Sequence, residues 1–276
     1  MNKLNFSKRV ALFCAVTLTL ALPQLTFGKD ARLTEVIRDV KVLASKAASG
    51  RPASVNDSVQ EGQAVRTGGD SRAELTFTDQ TITRLGSNTL FSYGQGAKQM
   101  DLSNGAALVV VPKEAGSVRI NTAAVTASVT GFTVLVESHS NAINKFMVLE
   151  GEACVKKIGK HGSSEPCTTL HSGEMLMLQP GTRNAGSVQK FDIKKTVNSA
   201  HLITKFGKLP KWARNDLQTA IQHQGPNGGK GNNPPGSNNS DPTGVGILDQ
   251  RAAASPTPPT VPKTEPSPPP GIKSNP

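Results

Sequence analysis

The chain has 276 residues, 36% of them hydrophobic, and its 31 Lys and Arg against 20 Asp and Glu give a net charge of +11. This length is sufficient for one good-sized hydrophobic core. The positive charge favours an anionic partner, but an export signal at the N-terminus argues against nucleic acid, which an exported protein does not normally meet.

The N-terminus has the features of a secretory signal. A basic segment, residues 3–9, precedes the apolar run VALFCAVTLTLAL and the helix-breaking Pro23. At ~1.5 Å per residue this run is too short to span a hydrocarbon core of ~30 Å. Thr26 and Gly28 supply the small residues of a cleavage site. We therefore predict a signal peptide over residues 1–28, with an uncleaved anchor as the alternative, and an exported, periplasmic or envelope-associated mature protein.

Short runs with an apolar residue at every second position dominate residues 29–190. In SRAELTFTD, Ala73, Leu75 and Phe77 alternate with polar residues, which is the spacing of a strand with one buried face. Similar runs are TEVIRDVKVL, GAALVVVPK, GSVRINT, AVTASVTGFTVLVES, NKFMVLEGEACVKK and GEMLMLQPG. Because turn-forming residues separate these runs at short intervals, we predict a mainly β fold, an antiparallel β-sandwich or jelly-roll-like domain.

Helical signals occur only late in the chain. SAHLITKFGKLP predicts a short helix capped by Ser199 and stopped by Pro210, and KWARNDLQTAIQHQG predicts a second helix. We assign residues 191–224 to a basic helical appendage. Residues 225–276 contain 13 prolines among 52 residues. Such a segment cannot bury enough apolar surface to offset its chain entropy, so we predict a disordered Pro/Gly/Asn-rich tail.

The run QEGQAVRTGGDSRAELTFTDQTITRLGSNTLF resembles the first half of the FecR domain. It contains three motifs of the family: a Thr-Gly pair, a strand of small residues that ends in Phe, and a Leu-x-x-x-(Ser/Thr) motif. LSNGAALVVV, INTAAVTASVTGFTVLVE, KFMVLEGEACV and LHSGEMLML are similar to its later strands. The resemblance covers residues 33–180, and it departs from the family pattern at Thr130, where the family usually has Arg.

The best-known FecR proteins are anti-sigma regulators whose FecR domain lies outside the cytoplasm and engages a TonB-dependent transporter. Because this chain begins directly with its predicted export signal, we expect no cytoplasmic arm that could hold a sigma factor. The resemblance therefore implies the envelope sensory or scaffold domain and not the signalling output.

Catalytic motifs are missing from the sequence. It contains neither a Gly-x-Ser-x-Gly elbow nor a phosphate-binding Gly-x-x-x-x-Gly-Lys-(Ser/Thr) loop, and its five histidines never form a His-x-x-x-His pair. We expect no enzyme, no catalytic residues, and no cofactor or metal. An envelope enzyme acting on polysaccharide is the alternative, because a β-rich fold permits one.

The two cysteines beyond the signal peptide, Cys154 and Cys167, are predicted to form a disulfide, since oxidation is the default for an exported chain. Zinc held by these cysteines with His161 and His171 is the alternative, and free thiols are another.

Glu150–Gly151–Glu152 is predicted to be a hairpin turn, because it lies between the apolar runs KFMVL and ACVKK. A second hairpin, made of residues 152–157 and 167–170, is predicted to place the two sulfur atoms directly opposite each other.

Residues 190–214 contain seven basic residues and one acid, Asp192. The basic residues are Lys190, Lys194, Lys195, Lys205, Lys208, Lys211 and Arg214. We predict a basic interaction surface for anionic lipid headgroups, lipopolysaccharide or a cell-wall polymer, so peripheral membrane contact is one option. A solvated helical face is the alternative. Nucleic acid is not expected, because Trp212 and Phe206 alone do not form a stacking platform.

These patterns together predict a non-catalytic FecR-like binding or scaffold module of the cell envelope. Its partner is expected to be an envelope protein or an anionic envelope polymer. The alternatives are a periplasmic component of a sigma/anti-sigma system acting with a TonB-dependent transporter, and the polysaccharide-acting enzyme named above.

Overall fold

A computed structural model describes residues 31–94, 98–139, 142–157, 166–178 and 186–224. The predicted signal peptide and the predicted tail lie outside these residues. The strands are β1 (Ala31–Ile37), β2 (Val40–Leu43), β3 (Gly50–Pro52), β4 (Ser58–Val59), β5 (Ala64–Thr67), β6 (Arg72–Phe77), β7 (Ile82–Leu85), β8 (Leu90–Gly94), β9 (Gln99–Val111), β10 (Ser117–Thr122), β11 (Val125–Ser138), β12 (Asn144–Lys157), β13 (Thr168–His171), β14 (Glu174–Leu178) and β15 (Val188–Lys190). The helices are α1 (Ile193–Ser199), α2 (His201–Thr204) and α3 (Lys211–Gln224), and a 3-10 turn covers Lys113–Ala115. None of the helices in the described ranges is long and apolar enough to cross a membrane.

The strands form two layers that share three long strands. The first layer has the order β3-β2-β5-β8-β9-β10-β11-β12-β13 and uses the N-terminal halves of β9 and β11 and the C-terminal half of β12. The second layer has the order β4-β1-β6-β7-β9-β11-β12-β14-β15 and uses the other halves. Such strands, which pass from one sheet to the other, make the corners of a β-sandwich.

A glycine with positive φ lies where each long strand changes partners. The φ angles are 95° at Gly105 in β9, 57° at Gly131 in β11 and 93° at Gly151 in β12. The register between β11 and β12 shifts at the last two glycines, as in a β-bulge. The predicted hairpin turn at Gly151 is therefore wrong. Glycine is required there because the strand bends through a left-handed residue, and β12 continues through it.

The core between the layers contains the apolar residues that the period-2 pattern predicts. Ala73, Leu75 and Phe77 are all buried in it, together with Val40 and Val42. The predicted mainly β fold with short C-terminal helices is thus confirmed. One pairing differs from the expected antiparallel arrangement, because β9 and β10 are parallel. The end of β9 lies in the second layer, and the chain then returns to the first layer, so that β10 runs beside the start of β9. The amide of Arg119 donates there to the carbonyl of Lys98 at 2.8 Å.

The two layers differ in their outer faces. The first layer exposes polar side chains such as Arg119, Ser128 and Thr130. The outer face of the second layer is apolar and is covered by α1, α2 and α3, so Leu108 and Leu135 are completely buried on that side. Strands buried on both faces read as continuous apolar runs, which explains why LVVV and FTVLV lack alternation.

The helices begin and end in part as predicted. Helix α3 covers the predicted second helix. Helix α1 is not predicted from the sequence; Asp192 caps it, since its Oδ1 accepts a hydrogen bond from the amide of Lys195 at 2.8 Å. The predicted cap Ser199 is instead the last residue of α1, and α2 follows Ala200.

Candidate functional site

A buried arginine joins the helices to the second layer. The Arg84 side chain, on β7, is only 1% exposed. Its Nε donates to Glu74 Oε2 at 2.7 Å, and its two terminal nitrogens donate to the carbonyls of Leu202 at 3.2 Å and Gly207 at 2.6 Å. The Phe206 ring lies 4.9 Å from the guanidinium carbon. Charge-assisted hydrogen bonds of this kind are stronger than neutral ones, so the contact fixes the position of the helices.

One further hydrogen bond joins the helical segment to β1, and two others join its two ends to each other. The amide of Gly207 donates to Glu35 Oε2 at 3.3 Å. At the end of α3 the Gln224 side chain accepts from the amide of Ile193 at 2.9 Å and donates to the carbonyl of Phe191 at 2.5 Å. The segment that is predicted to be an appendage packs against the second layer through buried apolar residues such as Ile193, Leu202 and Leu217. We call α1, α2, α3 and their connections, residues 191–224, the helical layer.

The seven predicted basic side chains are all exposed on or beside the helical layer, and we call them the basic face. They are Lys190, Lys194, Lys195, Lys205, Lys208, Lys211 and Arg214. The apolar residues of the same segment, such as Ile193, Leu202 and Leu217, are buried against the second layer. The structure therefore places the charged residues on the side that faces away from the sheet.

The carboxylates of this segment are engaged in other contacts. Asp192 caps α1, and Asp216 Oδ1 lies 3.5 Å from Lys113 Nζ, a lysine outside the helical layer. Within the described parts of the chain, no ion pair is formed by Lys190, Lys194, Lys205, Lys208, Lys211 or Arg214. The charge of these six residues is therefore not neutralised by ion pairs with the described carboxylates.

The charge is distributed unequally along the chain. Residues 31–189 contain 16 Lys and Arg against 14 Asp and Glu, whereas residues 190–224 contain seven against two. The β strands and their loops are thus close to neutral, and several of their charges form pairs such as Arg38 with Asp70 at 2.9 Å. Most of the net positive charge of residues 31–224 therefore lies in and beside the helical layer.

Cys154 and Cys167 form a disulfide, with 5.4 Å between their Cα atoms. The bridge joins β12 to the start of β13, but the residue opposite Cys154 is Thr169. The prediction that the two sulfurs lie directly opposite each other is therefore wrong. Cys167 lies two residues before the partner of Cys154 in the ladder, so the bridge runs diagonally on one face of the hairpin. Since both sulfurs are used, the predicted zinc alternative loses two of its ligands. His161 lies outside the described residues, and His171 Nδ1 lies 3.7 Å from Glu152 Oε2.

A cleft of about 250 Å³ lies between α3 and the bend of β12. Burial and, to a lesser extent, the charge of Asp216 raise the pKa of Glu150 to about 6, although the nearby Lys113 opposes them. Glu150 is predicted from the sequence to lie in a turn, so its raised pKa is not anticipated; the available signal is a carboxylate at the end of the apolar run FMVL. The cleft is lined by Lys113, Glu150, Ser172, Asp216, Thr219, Ala220, His223 and Gln224. No group of three or more metal-binding side chains occurs among the residues that the structure describes.

Part of the β region matches a known protein family. Residues 63–154 match the family described as FecR protein. No curated protein sequence matches. Two crystal structures described as a "putative anti-sigma factor" from Parabacteroides distasonis are similar, both at 13% identity. One has a TM-score of 0.42 and the match covers 58% of this chain and 75% of that one; the other has a TM-score of 0.38 and coverages of 51% and 74%. The matched segment runs from the residue before β5 into β12 and includes all three bends, so the FecR resemblance that the sequence motifs predict is confirmed over these residues.

Proposed function

We propose that this protein is a non-catalytic FecR-like binding module of the cell envelope, and that the basic face is the surface that engages its partner. The observation that carries the proposal is the excess of exposed positive charge on a helical layer that Arg84 fixes to the β strands. A rigid attachment of this kind would hold a bound partner in one orientation relative to the domain.

Two features support an exported location. Disulfides form and persist in oxidising compartments and are rare in reducing ones, and Cys154 and Cys167 are bridged. The N-terminal basic and apolar segments have the composition of a signal peptide. Intact-mass measurement of protein recovered from the envelope should show a chain that begins at or near Lys29; a full-length mass in the membrane fraction would contradict export by cleavage.

A regulatory role is the second candidate, because the family match favours it. In that case the partner is a membrane protein, such as the TonB-dependent transporter that the family resemblance implies. The first layer offers the surface for such a partner, since its outer face is polar and is not covered by other described elements. Recovery of a transporter or a membrane regulator from the envelope would support this role.

Two variants separate the surfaces. The helical-face variant carries Lys194→Glu, Lys205→Glu and Lys208→Glu, and the sheet-face variant carries Arg66→Glu, Arg119→Glu and Lys156→Glu. All six residues are exposed, and both variants change the net charge equally. After crosslinking in envelope extract, the wild type and the sheet-face variant should recover a shared envelope component that the helical-face variant loses. Loss with the sheet-face variant alone would move the binding surface to the first layer, and recovery of nothing specific by the wild type would contradict a binding module.

A further inference from the structure

We propose, building on the function proposed above, that the partner of the basic face is an anionic lipid surface, to which the protein binds peripherally through Coulomb attraction without inserting into the bilayer.

The net positive charge is concentrated in and beside the helical layer. The seven cations and two carboxylates of residues 190–224 leave five net positive charges in 35 residues, whereas residues 31–189 carry only two. Opposite an anionic surface, such a molecule would orient with the helical layer toward the lipid, because the remainder of the described chain is nearly neutral. Basic clusters next to anionic headgroups are attracted within a Debye length of ~10 Å at moderate salt.

The basic face consists mainly of lysines. Six of the seven residues of the basic face are lysines and one is arginine. The ammonium group of lysine is a compact, strongly hydrated point charge on a flexible stem, whereas arginine presents a rigid fork for bidentate recognition. A lysine-rich face is therefore suited to the diffuse field of many mobile headgroups. It is less suited to a polymer whose carboxylate or phosphate groups are recognised at fixed positions.

The described helices have no exposed apolar face that could insert into a bilayer. The apolar faces of α1, α2 and α3 are already buried against the second layer, where Ile193 and Leu202 pack on Leu108 and Leu135. Trp212 is half-buried in the same cluster. A helix whose apolar side is covered has no surface to bury in the headgroup region, unlike an interfacial amphipathic helix. The attraction should therefore be mainly electrostatic and should weaken strongly with salt.

The test is co-sedimentation of the protein, purified from the envelope, with vesicles. One set contains equal parts of phosphatidylglycerol and phosphatidylcholine, and the other contains phosphatidylcholine alone. We expect binding to the anionic vesicles at about 0.05 M salt, loss of binding at about 0.5 M salt, and no binding to the neutral vesicles. Each cation near such a surface changes the partition about fivefold, so the helical-face variant should bind at least about 100-fold more weakly. The sheet-face variant, with the same net charge, should bind within a few-fold of the wild type.

Trp212 is the single tryptophan of the chain, and its emission should shift little on binding, because the side chain does not enter the bilayer. A large blue shift would overturn peripheral binding. Equal loss in both triple variants would show that net charge, and not the basic face, is responsible, and this would overturn the assignment. Binding to a soluble anionic polysaccharide such as dextran sulfate, without binding to anionic vesicles, would overturn the lipid surface as partner. In that last case the crosslinking experiment with envelope extract would still recover a component, so the proposed function would remain while this inference fails.

Discussion

A terminal nitrogen of the Arg84 side chain and the carbonyl oxygen of Gly207 lie 2.6 Å apart, although 123 residues separate them along the chain. Arg84 belongs to the segment that matches the FecR family, and Gly207 belongs to the helical layer. We expect Arg84→Met to destabilise the protein by about 3–5 kcal/mol, because it leaves the Glu74 carboxylate without its cation in a largely buried site. Urea unfolding would measure the loss, and Trp212 emission would report release of the helical layer by a shift to longer wavelength.

Arg66→Met is the matched control for this prediction. Arg66 is exposed on the outer face of the first layer, where a substitution usually changes stability by less than about 0.5 kcal/mol. Equal stability of the Arg84 and Arg66 variants would contradict the role of the Arg84 contact.

Gly151→Ala tests the bend of β12. The φ angle of 93° is strained for any residue with a Cβ, and a Cβ at this position would lie 2.6 Å from the carbonyl oxygen of Gly131. We expect a loss of at least about 1–2 kcal/mol from the left-handed conformation alone, with the steric contact adding to it. Gly69→Ala is the control, since a Cβ there has open space. Thermal unfolding of the two variants should differ clearly, and similar melting temperatures would argue against the bend.

Glu150 should make stability depend on pH. Its folded pKa of about 6 lies above the usual 4.5, so its contribution to stability is fully present below pH 4.5 and is lost as the pH rises through 6. We expect Glu150→Gln, which resembles the protonated carboxyl, to be more stable than the wild type above pH 6. The gain should be only about 1 kcal/mol, since the side chain is partly exposed and solvent screens the repulsion from Asp216. The two proteins should converge near pH 4.5, and an unchanged difference across this range would refute the assignment.

The disulfide should stabilise the hairpin of β12 and β13. In the chain-entropy model, a bridge that closes a loop of this length contributes about 3 kcal/mol. Reduction, or the double substitution Cys154→Ser and Cys167→Ser, should lower the melting temperature and leave the β-rich circular dichroism at room temperature unchanged. Thiol titration of the unfolded, oxidised protein is the direct check: two free thiols per chain would exclude the bridge.

The end of α3 tests where the folded part of the chain stops. Gln224 makes two side-chain hydrogen bonds to the segment that leads into α1. We expect deletion of residues 225–276 to leave the melting temperature unchanged, whereas the further substitution Gln224→Ala in the shortened chain should lower the stability by about 1–3 kcal/mol. Unfolding of the β strands on deletion of the tail alone would show that the tail packs on them.

The sequence predicts the parts of this fold that local chemistry determines. Alternation at Ala73, Leu75 and Phe77 requires a strand with one buried face, and the structure buries all three. The pairing of Cys154 with Cys167 follows from their number in a chain that is predicted to be exported, and α3 follows from the helical spacing of Ala213 and Leu217, which are buried. In each of these cases the prediction needs only residues that are close together within one strand or helix, or two cysteines that have no other partner in the predicted mature chain.

The remaining features depend on residues that are distant in sequence. Gly151 has the same local appearance in a turn and in a bulge, and only the register between β11 and β12 distinguishes them. The carbonyl partners of Arg84 lie more than a hundred residues later, so its burial has no local signal. Burial in the folded protein raises the pKa of Glu150, and Asp216 on α3, a helix that begins only at Lys211, raises it as well. Tertiary contacts determine all three.

Because β9, β11 and β12 belong to both layers, a residue inserted into one of these strands affects the side-chain orientation in both sheets. Side chains alternate between the faces of a strand, so one inserted residue turns every following side chain over. An insertion in the N-terminal half of β11 would therefore expose Val129 in the first layer or, if the shift passed Gly131, Val134 in the second. Residues can be added without this penalty only in the connections, and natural variation in the length of this domain should be confined to them.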